Sequence, residues 1–100
     1  MTRKLVLRRA ASNDVRAASQ WYDQQRASLG AEFVLALSSA LGSVHEEPLV
    51  YQVVDGKRAI RRCLVQRFPY VVYFVVEESR IVVLAVLHTA RSPESWSTRR

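Results

Sequence analysis

His88, Arg91 and Trp96 follow the last apolar run of the chain, and Arg67-Phe68-Pro69-Tyr70 stands just ahead of the run before it. Histidine titrates near neutrality and can give or take a proton. Arginine presents a planar, permanently charged fork that matches carboxylates and phosphates. Tyrosine and tryptophan add large surfaces with one polar handle. Gathered at one edge, these types suit recognition of an anionic partner, with proton transfer available from the histidine. They act together only if the elements that carry them end at the same place.

Residues 71–76 and 81–87 are nearly unbroken apolar runs, and they read as the cores of two strands, 70–77 and 80–88. A third strand is read over 57–67. The links Phe68-Pro69 and Glu78-Ser79 are short, which requires antiparallel neighbours. With two-residue turns, Arg67 faces Tyr70, Tyr70 faces Leu87, and Pro69 lies beside His88. One face then carries Arg61, Cys63, Val65, Arg67, Tyr70, Val72, Phe74, Ala85 and Leu87, and the other Ile60, Arg62, Leu64, Tyr73, Val75, Leu84, Val86 and His88.

Ahead of these strands, residues 4–8 read as a short first strand, and Ser12-Asn13-Asp14 offers helix N-caps. Val15, Ala18, Trp21, Tyr22 and Leu29 form one helical stripe, which places Trp21 and Tyr22 in the core. Gly30 is the expected left-handed helix terminator. A second helix over 31–44 carries the stripe Phe33, Leu37, Ala40, Leu41 and Val44, and Pro48 stops it. Residues 45–55 are irregular, and Asp55-Gly56 marks a turn. The order is β-α-α-β-β-β, an α+β fold with a helical hairpin on one face of a small antiparallel sheet. The helices cover one face only, so the second apolar face is expected to be bare and to await a partner.

One hundred residues, 49% hydrophobic and 24% charged with three Gly and three Pro, make a single domain over 1–96, with 97–100 as a frayed tail. The net charge is +6, carried by thirteen Arg against two Lys, which points to RNA, DNA or an acidic protein segment as partner. The single Cys63 has no internal disulfide partner and reads as a small buried residue in a reducing cytoplasm. The basic start holds an apolar stretch of three residues, short of the roughly 7–15 of a signal peptide. No run approaches the ~18 apolar residues of a membrane span. A soluble cytoplasmic protein with no cofactor, no metal and no membrane attachment is expected.

Several residues then fall into a common order. Asp14 opens the first helix, which holds Trp21-Tyr22, and Leu29-Gly30-Ala31-Glu32-Phe33 forms the helical turn. Pro48, Arg61-Arg62, Arg67-Phe68-Pro69-Tyr70 and Tyr73 follow, then Ile81-Val82-Val83-Leu84-Ala85-Val86, His88, Arg91, Pro93 and Trp96. In this order and spacing, across nearly its whole length, the chain resembles the RelE/ParE superfamily of toxins from type II toxin–antitoxin modules, the bacterial plasmid-stabilisation proteins. The resemblance implies a cytoplasmic toxin in a hetero-oligomer with an antitoxin whose acidic C-terminal segment wraps it. It also implies one of two targets. The RelE branch cleaves messenger RNA on the ribosome; the ParE branch poisons DNA gyrase and is not a nuclease.

RNA cleavage needs a base for the ribose 2′-hydroxyl, fixed cations for the phosphate and an acid for the leaving oxygen. His88, or Lys57 in its place, would serve as base or acid, with Arg61, Arg62, Arg67 and Arg91 as phosphate clamps. The chain departs from the ribonuclease pattern in two ways. It has a single Lys in its second half, and its last aromatic residue is Trp96, which exchanges no protons. The ParE-like branch is therefore favoured, a binder of a protein target such as gyrase. RelE-like cleavage through His88, Arg61, Arg67 and Arg91 is the alternative, and a degenerate member that binds only its antitoxin a third reading. Partner contacts are expected at Arg62, Tyr73, Arg91 and Trp96, and at Val34 and Leu35, which fall off the second helix's stripe.

Overall fold

The computed structural model describes residues 3–91. The strands are β1 (Lys4–Leu7), β2 (Val53–Asp55), β3 (Ile60–Leu64), β4 (Tyr70–Val76) and β5 (Arg80–His88), and the helices are α1 (Arg9–Gln25) and α2 (Leu29–Glu46). A 3-10 turn at Pro48–Val50 follows α2. The five strands form one sheet in the order β1-β5-β4-β3-β2. The expected α+β architecture is present, with two additions. β2 forms inside the stretch expected to be irregular, and β1 pairs with β5 in parallel, so the sheet is mixed. β5 thus has neighbours on both sides, and residues 81–87 are all buried. Burial on both faces is what an unbroken apolar run encodes.

The register differs from the two-residue-turn expectation. Leu64 faces Val71 and Cys63 faces Val72, because residues 65–69 form a longer loop with Arg67 at φ 74°. Tyr70 faces His88, and the pairing then shifts between Tyr73↔Ala85 and Phe74↔Val83, leaving Leu84 as an extra residue on β5. A bulge of this kind reverses side-chain alternation beyond it. Val86 consequently packs with the helix-side core, whereas Ala85 and Leu87 join the opposite face. This exchanges the faces expected for all three.

The opposite face is not bare. Ile60, Val75, Val82, Leu84, Ala85 and Leu87 are at most 3% exposed, and Val6, Val54 and Tyr73 pack against them. The expected open sheet face is thus shielded within the chain. Large apolar side chains are exposed elsewhere, on the helices and around β2 and β3, as at Leu35, Val50 and Leu64.

On the helix side, Phe33 from α2 meets Tyr22, Phe68 and Tyr70 at ring-centroid distances of 5.4, 5.4 and 5.0 Å. Such edge-to-face clusters add about 0.5–1.5 kcal/mol per pair beyond area burial. α1 begins earlier than the expected Ser12–Asp14 cap. Arg8 is still bonded to β5 through Val83 O, and the chain turns into helix at once with no side-chain cap. Asp14 instead reaches the sheet, where its Oδ2 accepts the Val86 N–H at 2.9 Å. The left-handed residue between the helices is Ser28 (φ 72°), not Gly30. Gly30 lies buried in the first turn of α2, where a Cβ would overlap the Ser19 carbonyl oxygen. Glycine is needed there for close approach of the helices, and the Gly30 N–H is capped by Asp23 Oδ1 at 2.8 Å.

Candidate functional site

The helical hairpin is flanked by two grooves, and the residues singled out from the sequence divide between them. On the α1 side, the end of the sheet brings Pro69 and Tyr70, the last two residues of the Arg67-Phe68-Pro69-Tyr70 run, against His88 and Thr89. Thr89 N–H donates to Pro69 O at 2.8 Å, and Tyr70 packs edge-on to His88 with centroids 5.5 Å apart. α1 faces this end across a cleft of about 480 Å³ lined by Asp14, Trp21, Tyr22, Tyr70, His88 and Arg91 among others. The Tyr70 hydroxyl is pushed above its ordinary value by burial and drawn back by the Arg91 guanidinium, with Asp14 adding to the rise. Tyr22 is raised as well, by burial and by Tyr70.

His88 Nδ1 accepts the Ala90 N–H at 3.0 Å. A neutral imidazole in that arrangement carries its proton on Nε2, so the outer nitrogen can donate and not accept. This geometry offers no free lone pair for a general base. Arg91 N–H donates to His88 O at 2.9 Å, which fixes the short turn beyond β5.

The second groove, about 880 Å³, runs between α2 and the outer edge of β3. Leu35, Val50 and Leu64 line it at 71%, 70% and 55% exposure, with Arg62, Arg67 and Glu32 at its rim. Val34 is less exposed, at 38%. β2 covers β3 only as far as Arg62, whose N–H donates to Gln52 O. Beyond it the edge at Cys63 and Leu64 has no strand partner among the described residues, a position open to an added strand. The Cys63 thiol is buried and raised by desolvation, and Tyr51 beside it is raised for the same reason, so neither is poised to react.

The four residues of the nuclease reading do not converge. His88 and Arg91 line the α1 cleft. Arg67 turns to α2, bonding Glu32 at 2.9 Å with its guanidinium over Phe68. Arg61 donates to the carbonyls of Leu49 and Tyr51 at 3.1 and 2.7 Å, tying the 3-10 turn to the sheet. Lys57 lies in the exposed turn between β2 and β3. Tyr73 sits half-buried against the second face, and Trp96 falls outside the described residues. Among the described residues, no three His, Cys, Asp or Glu side chains group as a metal site.

Trp21 is the main correction. The helical stripe assigned it to the core, yet it is 54% exposed and leans edge-on against buried Tyr22 at 5.1 Å. Adjacent helix residues point about 100° apart, so a Trp-Tyr pair can bury only one ring fully. The spacing of Ala11, Ala18 and Tyr22, all buried, was the signal that could have decided which.

The comparisons with known proteins agree with this fold. No curated protein matches the sequence. A solved chain of the chromosomal ParDE toxin–antitoxin system from P. aeruginosa superposes with a TM-score of 0.78 at 16% identity, covering 87% of this chain and 96% of that one. At that identity the likeness is one of fold. Residues 5–93 match the family model for the ParE toxin of the type II toxin–antitoxin system, parDE. The match spans most of the sequence, and the chain belongs to the ParE toxin family of type II toxin–antitoxin systems.

Proposed function

We propose that this toxin acts in the cytoplasm by binding a protein target, DNA gyrase, and that its antitoxin silences it through the groove between α2 and β3. A toxin of a parDE system has a cognate antitoxin. The antitoxin would seat an acidic C-terminal segment there, its apolar side chains on Leu35, Val50 and Leu64. Its carboxylates would meet Arg62, which has no side-chain partner among the described residues. The unpaired edge of β3 adds backbone groups for an extended peptide. No helix among the described residues is long and apolar enough to cross a membrane, which is compatible with a cytoplasmic site of action.

One observation carries the choice of binding over cleavage. The groups that RNA cleavage would require do not share one site: His88 Nδ1 is on Ala90, Arg61 is on two carbonyls and Arg67 is on Glu32, which leaves Arg91 alone beside His88. An RNA-cleaving centre needs them within reach of one phosphate. The test incubates purified toxin with gyrase and relaxed DNA, and separately with ribosomes translating a defined message. Loss of supercoiling with the message intact is expected. Unimpaired supercoiling at large toxin excess would overturn the gyrase reading, and message cleavage that is lost in His88→Ala would establish the alternative.

A further inference from the structure

The α1 cleft is separate from the antitoxin groove, and its chemistry is specific. Its floor is aromatic, with Tyr22 packed on Phe68 at 4.9 Å and on Tyr70 at 6.1 Å. Its rim holds Trp21, an aromatic side chain that is 54% exposed and leans on Tyr22. Exposed tryptophan and arginine beside a formed pocket are the residue types that dominate binding energy at protein interfaces.

Two donors stand at the same cleft. The Arg91 guanidinium has no hydrogen-bond or ion-pair partner among the described residues, and His88 presents Nε2–H with Nδ1 already occupied. Other arginines are committed elsewhere, Arg26 and Arg67 to Glu32, Arg58 to Asp55 and Arg80 to Glu77. Asp14 also lines the cleft and bonds the Val86 N–H through Oδ2. One guanidinium and one imidazole N–H at this cleft suit a single incoming carboxylate, whereas a nucleic-acid strand would need a track of cations.

We infer that this cleft is the surface with which the toxin grips its target, and that it takes a protein segment bearing an aspartate or glutamate next to an apolar side chain. The carboxylate is received by Arg91 and His88 Nε2–H, and the apolar neighbour lies on Trp21 and Tyr22. The assignment rests on the reading above that the toxin works by binding a protein, and it gives that reading an address.

The test uses full-length toxin carrying Trp21→Ala or Arg91→Glu, with Arg91→Lys as the conservative variant. Both altered side chains are exposed, so melting temperatures within a few degrees of wild type are expected. Growth arrest on expression and inhibition of supercoiling should each require about tenfold more Trp21→Ala or Arg91→Glu toxin, with Arg91→Lys intermediate, while antitoxin affinity stays within about threefold. Wild-type potency in both variants would overturn the inference, as would an equal loss of antitoxin affinity. Binding of a single-stranded oligonucleotide that vanishes with the same substitutions would overturn the choice of a protein carboxylate. If wild-type toxin arrests growth but leaves gyrase untouched, the gyrase reading fails, and loss of arrest in the variants still supports the cleft.

Discussion

Glu32 is shared by two arginines, Arg67 at 2.9 Å and Arg26 at 3.2 Å, and so joins the helical turn to the loop between β3 and β4. The hydrogen bond from Arg67, more than the nearby charge of Arg26, holds its carboxyl below the ordinary value of 4.5. The folded protein therefore takes up this proton at lower pH than the unfolded chain does. The contribution is fully present above the unfolded value and is lost as pH falls through the depressed folded one. Because these groups lie at the surface, the effect is small and weakened by salt. In urea titrations, Glu32→Gln is expected to lower the unfolding midpoint at pH 7, and the difference from wild type should close as pH falls below the ordinary carboxyl value of 4.5 and through the depressed folded one. A gap that stays constant with pH would mean the pair contributes through packing alone. The two-residue-turn register puts Arg67 on one sheet face with Arg61, but its left-handed backbone aims it at α2 instead, a bend the spacing does not reveal.

Among the elements, the α1–α2 hairpin shows how a correct motif can carry the wrong reason. A glycine near a helical turn signals a left-handed cap, which makes Gly30 the expected terminator. The left-handed position falls on Ser28, and Gly30 serves the crossing of the two helices, where a Cβ would also lie 2.7 Å from Asp23 Oδ1. Since the Ser19 carbonyl belongs to backbone, the helices must separate to admit a methyl group. Gly30→Ala is thus expected to destabilise the fold by about 1–3 kcal/mol, despite the better helix propensity of alanine. Thermal unfolding followed by circular dichroism measures this; an unchanged or raised midpoint would show that the hairpin can open without loss. The bulge at Leu84 is a second element-level decision, since it alone sets which of Val86 and Leu87 meets the helices.

At the scale of the molecule, a +6 chain presents two separate grooves, one on each side of the hairpin. Net charge governs the approach of an acidic partner, whereas the apolar surfaces of Leu35, Val50 and Leu64 govern how long it stays. Association of toxin with antitoxin should therefore slow about tenfold or more between 50 mM and 500 mM salt, with dissociation much less affected. Stopped-flow mixing separates the two rates, and an association rate indifferent to salt would remove the electrostatic part of the proposal. Leu35→Glu should act in the opposite sense, speeding dissociation.

The residues alone determined the element order apart from β2, the helical hairpin, the strands flanking the last turn, the buried Cys63 and the meeting of Pro69-Tyr70 with His88 at one end of the sheet. Those follow from local signals, namely apolar periodicity, short connections and the stop at Pro48. They also carried the family resemblance, which the match over residues 5–93 supports. Only the tertiary structure decided the parallel addition of β1, the face exchange at Leu84, the shielding of the second sheet face and the exposure of Trp21. It also dispersed Arg61 and Arg67 away from His88. Each of these depends on which distant segment lies alongside, and a period of two or of 3.6 residues is silent about that: it says a side chain is turned inward, and not what it meets.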